Sequence, residues 1–157
     1  MTETIKKPEN PAKAFLRRYR ACKIRAESLS REIDKSLENA TNTAVKLKPV
    51  MVQSSGGAYD RMAEDVCRAA DMRAELYKAL ADTNRALAEI MAAIDAVPDE
   101  MQKTVLVLRY VEGLDWLAIQ EKIGYEDRNT FIIHGRALWA VNQYLKRLQE
   151  NAVVKGL

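Results

Sequence analysis

Val97–Leu148 reads VPDEMQKTVLVLRYVEGLDWLAIQEKIGYEDRNTFIIHGRALWAVNQYLKRL. Val97-Pro98 stops the preceding helix, because a residue before proline avoids the α region, and Pro98 itself fits the first turn of the next helix. Asp99 and Glu100 suit the positive end of that helix dipole. Met101, Val105 and Leu108, with Leu106 and Val111, form its buried side, and Glu112-Gly113 ends it. Asp115 has the side chain of an N-cap for a short helix from Trp116 to Ile123, with Trp116, Ile119 and Ile123 facing inward. Gly124 supplies a tight turn with positive φ. The next helix opens near Glu126-Asp127 and runs to about Glu150. Its buried stripe is Thr130, Ile133, Ala137, Val141, Tyr144 and Leu148, leaving Arg128, Asn129, Ile132, Gly135, Arg136 and Trp139 on the other side. Helix, break, short helix, glycine turn and long helix make the layout of a helix-turn-helix.

Upstream, helical patterning continues. From Ala12, residues Phe15, Tyr19, Cys22, Ala26, Leu29 and Ile33 alternate steps of four and three. Thr41 to Gly57 break the pattern, with Pro49, Ser54, Ser55, Gly56 and Gly57 marking a loop of about 41–57. A longer helix then spans about 58–96, with a seam through Tyr59, Met62, Val66, Ala69, Arg73, Leu76, Leu80, Thr83, Leu87, Ile90, Ile94 and Val97. A flanking row of Ala63, Ala70, Tyr77, Asn84 and Met91 widens the face, which suits a small bundle. Two helices joined by one loop fold most simply into an antiparallel hairpin. The expectation is an all-α chain with four parts. A disordered tail occupies 1–11, a long coiled-coil-like hairpin 12–97, a tri-helical helix-turn-helix domain 98–150 and a second tail 151–157.

Composition sets the class. The 157 residues are 48% hydrophobic and 30% charged, enough to bury a core. Cys22 and Cys67 with the lone His134 cannot complete a metal site, so the expectation is no metal, no cofactor and two reduced, packed thiols in a cytoplasmic protein. His134 is expected to be packed. No apolar run approaches membrane-spanning length, and the N-terminus has no signal-peptide core. No nucleophile–base, phosphate-loop or metal-ligand arrangement points to an enzyme. Net charge is +3, concentrated in the first helix. There Lys13, Arg17, Arg18, Arg20, Lys23 and Arg25 run without an acidic residue until Glu27, as a solvated face or a contact surface for DNA or an acidic protein.

The order L-R-Y-V-E-G-L-D-W-x-x-I (108–119), I-G-Y (123–125) and H-G-R-A-L (134–138) resembles the C-terminal promoter-recognition domain of bacterial sigma factors. It is more similar still to the sigma-like domain of phage-encoded transcriptional regulators of the ArpU and RinA type, over about residues 97–145. The resemblance implies a DNA-binding regulator in a bacterial host cell, with double-stranded promoter DNA as partner and RNA polymerase or another host protein as a second one. The expected assembly is a homodimer. It places Arg128, Asn129, Ile132 and Arg136 on the recognition surface, where the arginines suit phosphate or guanine and Asn129 suits adenine. Four positions depart from the family pattern. Glu126 and Asp127 put two negative charges where phosphate approaches, which weakens DNA affinity. Gln120 replaces an alanine at the helix crossing, and Ile132 replaces a polar reader. Ile132 and Trp139 fit a protein surface, which supports an alternative: an adaptor or inhibitor that keeps the fold and binds a host protein.

Overall fold

A computed structural model describes residues 9–46 and 57–156, with side chains described at 9–42 and 63–156. The chain is all-helical, with no strand among the described residues. In order, the elements are α1 (Pro11–Lys46), α2 (Gly57–Asp95), α3 (Glu100–Leu106), α4 (Trp116–Ile123) and α5 (Asp127–Lys155), with a π-helical turn, Val107–Val111, continuing α3.

The helix ends follow from capping chemistry. Asn10 caps α1 with Pro11 at its first position, where the missing N–H costs nothing: the Ala12 amide donates to Asn10 Oδ1 at 3.0 Å. Asp99 Oδ1 accepts from the Gln102 amide at 2.8 Å, and Asp115 Oδ1 accepts from the Ala118 amide at 2.9 Å. Gly124, at φ 70° and ψ 26°, closes α4 in the left-handed region. Four boundaries differ from expectation. Helix α1 continues through Thr41–Lys46, and α5 continues to Lys155, so 151–155 is helix and not tail. Glu9 and Asn10, expected in a disordered tail, are held: Glu9 pairs with Arg17, and Asn10 Oδ1 accepts from Asn142 Nδ2 at 3.0 Å. Pro98, expected in the first turn of α3, precedes its N-cap, Asp99. Residues 1–8 and the loop positions Pro49, Ser54, Ser55 and Gly56 lie outside the described residues.

Two compact units emerge. One contains residues up to Ala21 together with Asn84–Leu157, and the other contains Cys22–Thr83. The division therefore falls inside α1 and α2 and not at Pro98. The reason is apolar packing in the first unit: Ala12, Leu16, Ile90, Ala93, Ile94 and Val97 join Leu106, Tyr110, Ala137, Leu138 and Val141 in one core. Burying that surface outweighs the chain break that proline imposes. Within this unit α3 packs on α5, and α4 contacts both α5 and the π turn. In the second unit Ala26, Ile33, Ala79 and Thr83 are buried, and Ser36 Oγ lies 4.0 Å from Met72 Sδ. Of the two thiols expected to be packed, Cys22 is half-buried and Cys67 is exposed, on the side of α2 away from the buried Ala79 and Thr83.

The buried stripe of α2 is displaced from the expected seam. Thr83, Ile90, Ile94 and Val97 are buried as expected, but Ala79, Ala86 and Ala93 are buried as well, while Leu80 is exposed. The side chains of Tyr59 and Met62 lie outside those described. Alanine loses no side-chain entropy and admits close helix approach, which the leucines at neighbouring positions do not. In α1, Leu16 is fully buried and Phe15 only partly so.

Candidate nucleic-acid interface

The core beneath the candidate surface is an aromatic and polar cluster. The π turn changes the phase of α3, so that Leu106, Leu108 and Tyr110 are all buried. A wider turn re-aims side chains in this way and often marks a functional region. Tyr110 Oη lies 3.0 Å from His134 Nε2. Trp116 sets its ring edge against His134 at 4.7 Å between centroids and packs on Phe131 at 4.9 Å. The Arg109 guanidinium lies over the Trp116 ring, 4.7 Å from its centroid, and its Nη1 donates to the Leu114 carbonyl at 2.7 Å. His134 is buried, and desolvation, with the charges of Lys13 and Arg109, pulls its pKa down to about 4. It is a neutral, packed ring, as its place beside the apolar stripe suggests. Burial likewise raises the Tyr110 pKa, although Arg17 and Arg109 oppose the shift.

The break between the π turn and α4 is clasped from α1. Gly113 has φ 76°, and Arg20 Nη1 donates to its carbonyl at 3.1 Å. A Cβ at Gly113 would lie 2.8 Å from Arg20 Nη1. The Lys122 ammonium adds an exposed ion pair with Glu112 at 3.5 Å.

On this frame α5 opens after Glu126. Thr130, fully buried, donates to the Glu126 carbonyl at 3.1 Å, while Ala137 and Val141 continue inward. His134 and Leu138 are also buried. Leu148, expected on the inward stripe, is exposed, because the core ends at Val141 with partial cover from Tyr144 and Leu145. Arg128, Asn129, Ile132, Gly135, Arg136 and Trp139 all lie on the exposed side. Among the described residues, the side chains of Arg128, Asn129 and Arg136 make no hydrogen bond or ion pair. Gln120, unusual at a helix crossing, donates through Nε2 to Asp127 Oδ1. The Asp127 carboxylate is thus tied to α4, whereas Glu126 makes no side-chain cap.

The basic run on α1 is less available than its composition suggests. Arg17 pairs with Glu9. Arg18 pairs with Glu89 at 3.1 Å and lies over the Phe15 ring. Arg20 holds Gly113. Lys13 is half-buried and Lys23 exposed, while Arg25 lines a recess with Cys22, Glu75, Lys78, Ala79 and Asp82. The structure therefore splits the six between internal structure and surface. Sequence reasoning missed the exposed Leu117, Tyr125 and Phe131. Leu117 and Phe131 each follow an inward residue by one helical step, which would have placed them outside.

Among the described residues no cluster of three or more His, Cys, Asp or Glu side chains is arranged to hold a metal. Among the described residues no helix is long and apolar enough to cross a membrane. No family model, curated protein or solved structure matches the chain.

Proposed function

We propose that this chain is a DNA-binding transcriptional regulator of phage or prophage type, acting in the bacterial cytoplasm. In this reading α3–α5 form a sigma-like helix-turn-helix, α5 enters the major groove, and α1 and α2 form a long antiparallel hairpin. One observation carries it: after the left-handed turn at Gly124, α5 presents Arg128, Asn129 and Arg136 exposed and without internal partners. Groove recognition asks for side chains free to contact phosphate and base edges. The Gln120–Asp127 bond supports it further by spreading one of the two charges that oppose phosphate. The hairpin is supported by the closeness of Ser36 to Met72 and of Arg18 to Glu89, since later residues of α1 meet earlier residues of α2.

The test is a gel shift at low salt with promoter fragments from the chain's own genome. Binding that Arg128→Ala or Arg136→Ala weakens by about tenfold supports the reading, in keeping with roughly 1–3 kcal/mol for a good base contact. A folded protein that binds none of these fragments overturns it.

A second reading is favoured by the exposure of Trp139 (65%) and Ile132 (43%) beside these arginines. Large exposed apolar side chains suit a protein partner, such as RNA polymerase or another host protein, better than a phosphate backbone. In that case Trp139→Ala abolishes partner binding and leaves any DNA affinity unchanged.

A further inference from the structure

The outward face of α5 has an apolar residue at its centre. Ile132 follows Arg128 by four residues and Asn129 by three, and Arg136 follows Ile132 by four, so each polar side chain is its neighbour on the helix surface. Ile132 is 43% exposed, and the three polar side chains around it are exposed and without partners in the fold. Gly135, one turn beyond Ile132, is a second observation. It lies inside a helix, where glycine is less stable than alanine. Beyond its own turn of helix, a Cβ there would have nothing within 4 Å. Packing within the chain gives no reason for the bare backbone, whereas close approach from outside does. Trp139 lies seven residues past Ile132, about 10 Å along the axis, beyond the N-terminal turns with which such a helix reads bases.

We propose that Ile132 reads the 5-methyl group of a thymine in the major groove, with Asn129 on an adenine beside it. This contact rests on the DNA-binding reading above and names the sequence class it selects. Isoleucine has no donor or acceptor, and the thymine methyl is the one apolar group that the four ordinary bases offer in that groove. Set against any other base edge, the same side chain strips water from polar atoms and returns no hydrogen bond. The neighbours select DNA over a protein surface. The Asn129 amide matches adenine N6 and N7 as a donor–acceptor pair, and Arg128 and Arg136 match guanine or phosphate. An apolar protein patch would cover Ile132 but strand these three groups. Asp127, the acid inside the first turn, is held by Gln120 and lies about 140° around the helix from Ile132. At Gly135 the bare backbone lets the duplex close on the helix beside Ile132, where one more methyl would hold it off.

The full chain, at about 50 mM salt, is used to select duplexes from a random-sequence pool. The selected duplex is then remade with uracil for thymine, one position at a time. That exchange deletes the methyl and keeps every hydrogen-bonding group. At the contacted position the dissociation constant should rise about fourfold, the value of one buried methyl. Ile132→Ala should bind the thymine and uracil duplexes alike, which assigns the methyl to this side chain. Gly135→Ala should stabilise the fold, raising the Tm by about 1–4 °C, yet weaken duplex binding several-fold. A selected duplex that binds equally well with uracil at every position overturns the thymine contact and leaves DNA binding standing. A folded chain that selects no duplex overturns both.

Discussion

Gly113 carries two constraints at once, a left-handed backbone and the approach of Arg20 to its carbonyl. Gly113→Ala should therefore cost more than the roughly 1–2 kcal/mol of a left-handed alanine, because Arg20 must also move. Arg20→Ala removes only a hydrogen bond to a charged group and should cost about 1.5–3 kcal/mol or less, the bond being exposed. Denaturation midpoints in urea would rank the two, and equal midpoints for Gly113→Ala and the original chain would contradict the account. His134 sets a pH dependence of definite sign. Its folded pKa of about 4 lies below the ordinary histidine value of 6.5, so the unfolded chain binds the proton more readily. The stability associated with its neutral form is fully present above pH 6.5, declines as pH falls from 6.5 to 4, and changes no further below that. The slope is roughly 1.4 kcal/mol per pH unit within the window. In His134→Gln the Tm should vary less with pH across this range. That His134 would be packed was legible from its place beside the stripe; that Tyr110 would be its partner was not, because the π turn alters the spacing on which the reading of α3 depended.

At the scale of elements, caps were the most legible feature. Asp115 and Gly124 are found where local chemistry requires them, since both act over a few residues of backbone. Asp115→Ala should lower stability by about 1 kcal/mol, visible as a lower Tm without loss of helix content in the folded state. Seams were less legible. Periodicity locates a stripe but not which of two adjacent residues faces inward, and the intuition that leucine is buried and alanine neutral chose Leu80 over Ala79. Close helix packing reverses that preference. Ala86, 3% exposed, tests the point: Ala86→Leu adds apolar volume yet should destabilise by about 1–3 kcal/mol through overpacking. A rise in Tm would place the stripe elsewhere. The outward side of α5 followed directly from its inward stripe, so Arg128, Asn129, Ile132, Arg136 and Trp139 were all placed on the correct side.

For the molecule as a whole, net charge says little and placement says more. Arg17, Arg18 and Arg20 are occupied within the fold, so the proposed DNA affinity depends on few phosphate contacts. Its logarithm should fall with the logarithm of salt by only about 0.9 per contact, and Arg136→Ala should reduce the slope by about one if Arg136 touches phosphate. Glu126→Gln should strengthen binding, which fluorescence anisotropy across a salt series would show; unchanged affinity would place Glu126 away from the backbone. The whole-chain division was the least legible feature, because Pro98 marks a break in local structure and says nothing about which distant segments share a core. That sharing has a consequence for biosynthesis. Asn142 Oδ1 accepts from the Ala12 amide at 2.9 Å, and Leu16 is buried in the same core as Val141. The start of α1 thus finds its neighbours on α2 once that helix has emerged, but its contacts with α5 form only after α5 has left the ribosome, and closing so long a loop is entropically slow.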